Sequence, residues 1–261
     1  MMLRARERWR VIPGSRIDRL PKPLRPLAVL ARNQIIDRRY LYAADGFATV
    51  HFCPFLEDSE FDSLYWDMAR SWYPGADLRW RMWVLAAIAH QCQHLPGNFA
   101  EFGVWRGGYA YMVLSHTETT PDHRYFLFDT FVGIPGDRLT QHERDQGFAG
   151  RHGGTSADYV DEFLAHWRPR YRICPGDIFD TLKSTDVGAL SFAHIDLNAV
   201  APTQLALEFA YERLVNGGMI VFDDYGGAGF ETQRKAIDEF FSSLPKTPIC
   251  LPASQAFVIK Q

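Results

Sequence analysis

The sequence predicts an α/β fold: a mostly parallel sheet with helices on both faces, a C-terminal antiparallel hairpin and an N-terminal helical extension. Three observations carry this expectation. From Asn98 onward, short apolar runs alternate with helical patterns, as in successive βαβ units. The first run leads directly into a glycine-rich turn, Glu101-Phe-Gly103-Val-Trp-Arg-Gly107-Gly108. The end of the chain changes character, with two strand-like runs flanking Pro252-Ala253-Ser254.

The strand candidates are residues 99–103, 124–129, 171–174, 190–196 and 219–223, and the closing hairpin is 247–251 with 256–260. Helix candidates are 108–117, 156–167, 202–215 and 231–244. Pro202 suits a first helical turn, where its missing N–H costs nothing, and Asn216-Gly217-Gly218 reads as a helix stop. Strands separated by helices are parallel, and parallel sheets bind ligands at the carboxyl ends of their strands.

Ahead of the sheet, Leu64, Met68 and Trp72 recur every fourth residue. Trp83, Ala86, Ala87 and His90 continue the theme beyond a Pro74-Gly75 break, so 58–94 reads as helical. Residues 28–50 read as a short helix followed by a turn at Gly46. Residues 1–27, with Pro13, Pro21, Pro23 and Pro26 among arginines, read as an irregular arm. The expected division is a basic arm and helical cap over 1–97 and a main domain over 98–261.

At 261 residues the chain can bury one substantial core, and 47% hydrophobic with 23% charged residues is a globular composition. Its longest apolar stretches, such as 83–89, are too short to span a bilayer. Arg4, Arg6, Arg8 and Arg10 lack the apolar core of a secretory signal, which points to the cytoplasm. Cys53, Cys92, Cys174 and Cys250 form no CxxC pair, so reduced thiols are expected and structural zinc is not. Residues 1–40 carry a balance of +8, leaving −11 on the rest of a chain whose net charge is −3. The basic arm suits solvent or an oligomer contact, and a homo-oligomer is expected. The acidic body disfavours nucleic acid as a substrate.

The glycine turn follows a strand and opens a helix. Glycines there let backbone approach a ligand closely, and Gly103, Val104 and Gly107 are cofactor-binding candidates. The spacing is not G-x-G-x-x-G, so a pyrophosphate is not indicated, whereas the acidic Glu101 suits the ammonium of a methionine moiety. A simple strand–helix turn is the bland alternative. Asp129, followed by Thr130, ends the second strand, where a carboxylate can accept both hydroxyls of a ribose. Gly176-Asp177-Ile178 follows the third strand, either as an adenine grip or as a plain β-turn.

His194-Ile-Asp196 ends the fourth strand and Phe222-Asp223-Asp224-Tyr225 the fifth, so three carboxylates gather at one sheet edge. Like charges so placed oppose one another unless a cation intervenes, and hard oxygen ligands suit Mg²⁺ or Ca²⁺. The alternative has Asp224 capping the next loop while the other two face solvent.

Taken in order, the blocks E-F-G-V-W-R-G-G (101–108), F-D-T-F-V-G-I-P (128–135), P-G-D-I-F-D-T-L (175–182), H-I-D (194–196) and G-G-M-I-V-F-D-D-Y-G (217–226) resemble the macrocin and novobiocin-type sugar O-methyltransferases of antibiotic biosynthesis. The resemblance covers Asn98 to the C-terminus and implies a Rossmann-like class I methyltransferase sheet, for which the terminal hairpin is a common ending. It implies that Glu101, Gly103, Asp129 and Asp177 contact S-adenosylmethionine, with Asp196 close by. It also implies that Asp196, Asp223 and Asp224 bind Mg²⁺ or another divalent cation that holds the acceptor. Where that family usually has an aspartate proposed as general base, this chain has Asn198, whose amide takes no proton at neutral pH.

The stretch 136–154 is polar and glycine-punctuated like an active-site lid, and its His142 and His152 are candidates for the missing base. His194 lies two residues before Asp196 and reads either as support for the metal shell or as a core histidine. Tyr225, Trp80 and Trp83 read either as acceptor-pocket wall or as core. The expected function is S-adenosylmethionine-dependent, metal-assisted O-methylation of a small molecule: a sugar, glycoside or natural product. The alternatives are a silent cofactor-binding relative lacking the base, or a non-sugar acceptor. The terminal hairpin and the missing G-x-G-x-x-G speak against a nicotinamide oxidoreductase.

Overall fold

The computed structural model describes Pro21, Leu24 and residues 40–118 and 123–261. The arm read over 1–27 otherwise lies outside the described residues, as does the stretch where a short helix is expected, up to residue 39. Around Gly46, where the sequence suggests only a turn, the chain forms a complete hairpin. Strands β1 (Tyr42–Ala44) and β2 (Phe47–Thr49) pair antiparallel, with Tyr42 opposite Thr49. Asp45 and Gly46 join them at φ of 49° and 74°, the left-handed pair that a two-residue turn between twisted strands requires.

Two helices come next. Helix α1 (Ser59–Trp72) starts at Asp58, whose side chain accepts from the N–H groups of Glu60 and Phe61 at 3.1 and 2.9 Å. It buries Phe61, Tyr65, Met68, Ala69 and Trp72, and it stops ahead of Pro74-Gly75. Helix α2 (Arg79–Cys92) buries Met82, Leu85, Ala86, Ala89 and Cys92.

The main sheet comprises β3 (Asn98–Phe102), β4 (Tyr125–Asp129), β5 (Tyr171–Pro175), β6 (Leu190–Ile195), β7 (Leu214–Phe222), β8 (Ile249–Cys250) and β9 (Ala256–Ile259). Their order is β5-β4-β3-β6-β7-β9-β8. The β3, β4, β5, β6 and β7 pairings are parallel, and β9 runs antiparallel to both β7 and β8. This is the predicted mostly parallel sheet with its terminal hairpin.

Strand alternation sorts the side chains into two cores. Phe99, Tyr125, Leu127, Phe192 and Val221 face the apolar cluster that includes Phe61, Tyr65, Met82 and Leu85 of the first two helices. Ala100, Phe102, Phe128, Ile195, Ile220 and Phe222 face the other cluster. Helices α3 (Gly108–Ser115) and α5 (Ala157–Phe163) join the first face. Helices α6 (Ile178–Ser184), α7 (Val200–Arg213) and α8 (Glu231–Ser242) cover the second. The short α4 (Gln141–Asp145) lies in the loop after β4. With both faces covered, β6 is buried along its whole length.

Asn216-Gly217-Gly218 is not a helix stop. Helix α7 ends at Arg213 and β7 begins at once, with Leu214 opposite Leu190. The register then slips, so that Phe192 faces Met219, and the glycines absorb the extra residues. Gly217 adopts φ 83° and donates to the Lys260 carbonyl at 2.7 Å. All four cysteines are free, and Cys53, Cys92 and Cys174 are buried. Among the described residues, no helix is long and apolar enough to cross a membrane.

Candidate active site

The chain runs outward from β3 through β4 to β5, then returns to place β6 beside β3. The loops leaving β3 and β6 therefore diverge and open a crevice at the carboxyl ends of the strands. A cleft of about 990 Å³ lies there, lined by Gly103, Asp129, Asp196, Asn198, Asp223 and Asp224 among others. Gly103 must be glycine. Its φ is 93°, and a Cβ would collide with the Asp196 carbonyl, whose own N–H donates to the Phe102 carbonyl at 2.8 Å.

On one side of the cleft Asp129 holds the glycine turn in shape. Its Oδ2 accepts from the N–H groups of Val104 and Trp105, both at 2.7 Å, and its Oδ1 accepts from Phe131 N–H at 2.6 Å. Val104 and Thr130 line the cleft beside it. Asp177 also lines it as the N-cap of α6, accepting from Phe179 N–H at 3.0 Å and from Arg138 Nε at 2.8 Å. The α6 helix is not among the sequence-predicted elements, and its cap explains the Asp177 position better than a β-turn.

Three candidates for the cofactor stand off the cleft lining. Glu101 is fully buried: strand alternation turns it, with Phe99, toward the face covered by α1, α2 and α3, where it accepts from the Tyr125 hydroxyl. Gly107 is the N-cap of α3 at φ 79°, and Gly176 forms the bend before Asp177 at φ 130°.

Across the cleft, Asp196, Asp223 and Asp224 each present an oxygen within 4.8 Å of the others. Four residues that sequence reasoning misses surround them. Arg81, near the start of α2, reaches Asp223 Oδ2 at 2.7 Å and Asp224 Oδ1 at 3.2 Å through Nη1. Its Nε and Nη2 meet both oxygens of Asp45, in the hairpin turn, at 2.5 and 2.9 Å. Tyr109 donates to Asp223 Oδ2 at 3.0 Å, and Gln255 Nε2 donates to Asp223 Oδ1 at 2.9 Å. Their one sequence signal is Arg81 itself, a second arginine after Arg79 set between Trp80 and Trp83 at the start of a largely apolar helix.

His194 is fully buried between Glu101 Oε2 at 3.8 Å and Asp223 Oδ1 at 3.7 Å, with neither ring nitrogen hydrogen-bonded. Burial opposes its charge, but the two carboxylates raise its pKa to about 10. Burial likewise works against an ionised Asp223, yet Arg81 and His194 hold it well below the usual carboxylate range. Asp224 is pushed up to about 6 by burial and by Asp223, against the pull of Arg81. Asp196 is raised as well, by burial and by the other two aspartates. Its carboxylate receives Asn198 Nδ2 at 2.5 Å, with Asn198 in the left-handed region at φ 57°.

The loop over 136–154 is ordered around Thr140 and Glu143, which form a capping box at α4. His142 is exposed on α4 and lies off the cleft lining, whereas His152 lines the cleft with its ring 5.6 Å from that of Trp105. Trp80 and Trp83 pack against the first apolar cluster and Tyr225 lies in the second, its hydroxyl on Asp238 at 2.5 Å, so none of the three lines the cleft.

This sheet order, with its crevice between β3 and β6 and its antiparallel ending, is that of the Rossmann-like O-methyltransferases. The solved structure of the O-methyltransferase NovP is similar at a TM-score of 0.62, with 21% identity, over 69% of this chain and 79% of that one. The macrocin-O-methyltransferase (TylF) family model matches residues 79–245, and the chain belongs to that family. It is 31% identical, over 56% of its length, to 8-demethyl-8-(2,3-dimethoxy-alpha-L-rhamnosyl)-tetracenomycin-C 4'-O-methyltransferase of Streptomyces olivaceus. It is 28% identical, over 51% of its length, to demethyldecarbamoylnovobiocin O-methyltransferase of Streptomyces niveus. The matches span 58% and 54% of those two relatives, little more than half of each.

Proposed function

We propose that the chain transfers the methyl group of S-adenosylmethionine to a hydroxyl of a small molecule, a sugar borne on a natural product or a related glycoside. The observation that carries this reading is the shared cleft: the Asp129-braced glycine turn lines one part and the aspartate group another. The names of the relatives support the acceptor class, since both act on natural products. In this reading the helical cap over residues 40–97 closes the acceptor end of a catalytic domain formed by 98–261.

Gly103, Val104, Asp129, Thr130 and Asp177 bind the donor. The methyl sulfonium is already electrophilic, so placing the acceptor oxygen in line with it is most of the remaining task. Glu101, behind the turn, supports it through Tyr125 and His194 rather than by contact.

Asp196, Asp223 and Asp224 fit a divalent cation. All are hard oxygen donors, and a guanidinium already stands on two of them as a cation would. Arg81 and His194 answer Asp223, and Arg81 also Asp224, whereas Asp196 receives only the Asn198 amide among the described residues. A bound divalent cation would acidify an acceptor hydroxyl. Asn198 orients Asp196 and takes no proton, and His152, as the lid histidine on the cleft lining, replaces His142 as proton acceptor.

The test is transfer of labelled methyl from S-adenosylmethionine to a panel of glycosylated natural products, with and without EDTA. Donor binding with no turnover on any acceptor would favour a silent relative. Full activity in chelator, retained by Asp224→Ala, would remove the cation.

A further inference from the structure

The acidic group is occupied by a side chain of the protein itself. Arg81 makes four hydrogen bonds there, two to Asp45 and one each to Asp223 and Asp224. A guanidinium has five N–H donors, so it is nearly saturated and serves as a structural cation rather than as an arm for substrate. Its side chain is 13% exposed and that of Asp223 4%.

A carboxylate offers about four acceptor positions. On Asp223, Oδ2 is used by Arg81 and Tyr109, Oδ1 by Gln255, and the remaining side of Oδ1 is faced by His194 at 3.7 Å. A cation entering this shell has to take the place of one of these donors. Tyr109 of α3, His194 of β6 and Gln255 just before β9 are fully or almost fully buried. Arg81 comes from the helical cap instead, is the most exposed of the four, and holds Asp223 and Asp224 with a charge of the sign a metal would bring.

We propose that Arg81 and a divalent cation are exclusive occupants of Asp223 and Asp224, so that Arg81 sets how tightly this chain binds its metal. The inference rests on reading the three aspartates as a cation site. The same exchange bears on Asp45, because the guanidinium whose Nη1 would leave Asp223 and Asp224 is the one that ties the β1–β2 hairpin to the sheet edge through Nε and Nη2. Metal binding is thereby coupled to the hairpin and the start of α2.

The experiment is Mn²⁺ binding to the full chain, by calorimetry and by the electron paramagnetic resonance signal of the bound ion. The proteins are the wild type, Arg81→Met, Arg81→Lys and Asp224→Asn. Removing an adjacent unit charge should tighten Mn²⁺ binding about tenfold or more in Arg81→Met. Arg81→Lys, which keeps the charge but loses the fork, should fall between and decides the matter if the Met variant does not fold. Asp224→Asn should abolish binding. Unchanged or weaker binding in the Arg81 variants, with Asp224→Asn still abolishing it, overturns the exchange and leaves the cation site standing. No binding by the wild type or by either Arg81 variant overturns the cation site and the exchange with it.

Discussion

Glu143, inside the loop after β4, accepts the main-chain N–H of Val200 at 2.7 Å through Oε1. Val200 opens α7, whose N-cap residue Ala199 has no polar side chain to offer, so the loop supplies the cap that the helix lacks. The other oxygen of Glu143 accepts the N–H and hydroxyl of Thr140 at 2.7 and 2.8 Å. One buried carboxylate thus fastens the lid to the helix that begins just after Asn198. Glu143→Ala leaves these donors unsatisfied and should cost about 2–4 kcal/mol. Glu143→Gln keeps part of the acceptor set and should cost less. Denaturant unfolding measures both, and limited proteolysis should cut within 136–154 faster in the alanine variant. Equal stability of all three proteins would show that the lid is held otherwise.

Gly103→Ala tests the closeness of the two loops at the switch point. The left-handed φ of 93° costs a non-glycine residue about 1–3 kcal/mol, and the new methyl also meets the Asp196 carbonyl. The β3 and β6 loops must part for it to fit. Binding of S-adenosylhomocysteine by the refolded variant, measured by calorimetry, should fall about tenfold or more beside a lower melting temperature. Undiminished binding would mean that the cofactor does not use this turn.

Much of the fold is legible in the sequence because the central strands are mostly apolar runs separated by helical patterns. The predicted 231–244 helix, for example, appears as Glu231–Ser242. The Asn216-Gly217-Gly218 bulge is not legible, because glycines that end a helix and glycines that absorb a register slip look alike along the chain. The three aspartates can be found from strand ends. Arg81 and Asp45 cannot, because pairing a helix with a hairpin turn 36 positions away is set by packing rather than by period. Glu101 is placed by its motif, but its direction follows from strand parity, which the motif does not reveal.

Asp129→Asn changes one atom at the centre of the glycine turn. Three main-chain N–H groups converge on this carboxylate, and an amide nitrogen cannot accept from any of them. Either orientation of the asparagine leaves at least one donor facing another. The expected result is a stability loss of about 1–3 kcal/mol with weaker binding of S-adenosylhomocysteine. Asp129→Glu should also fail, since its longer stem moves both oxygens. Cofactor affinity equal to wild type in the asparagine variant would separate the shape of the turn from its proposed role.

Asn198→Asp introduces the carboxylate that the family resemblance leads one to expect at this position, and its effect on the unliganded site can be worked out from the contacts. Asn198 Nδ2 lies 2.5 Å from Asp196 Oδ1 and neutralises none of its charge, but it does satisfy the oxygen. An aspartate there brings two carboxylates to the same separation. Arg81 cannot relieve them, because it is committed to Asp45, Asp223 and Asp224. One of the pair must take up a proton or a cation. In EDTA the variant should be less stable than wild type by about 1–3 kcal/mol. Mn²⁺ should then raise its melting temperature by more than it raises that of wild type, since the added charge binds the cation in the folded state alone. Melting curves of both proteins in EDTA and in Mn²⁺ supply the comparison. If the variant is as stable as wild type in EDTA, the Asn198–Asp196 contact is not what keeps the aspartate group tolerable without a metal.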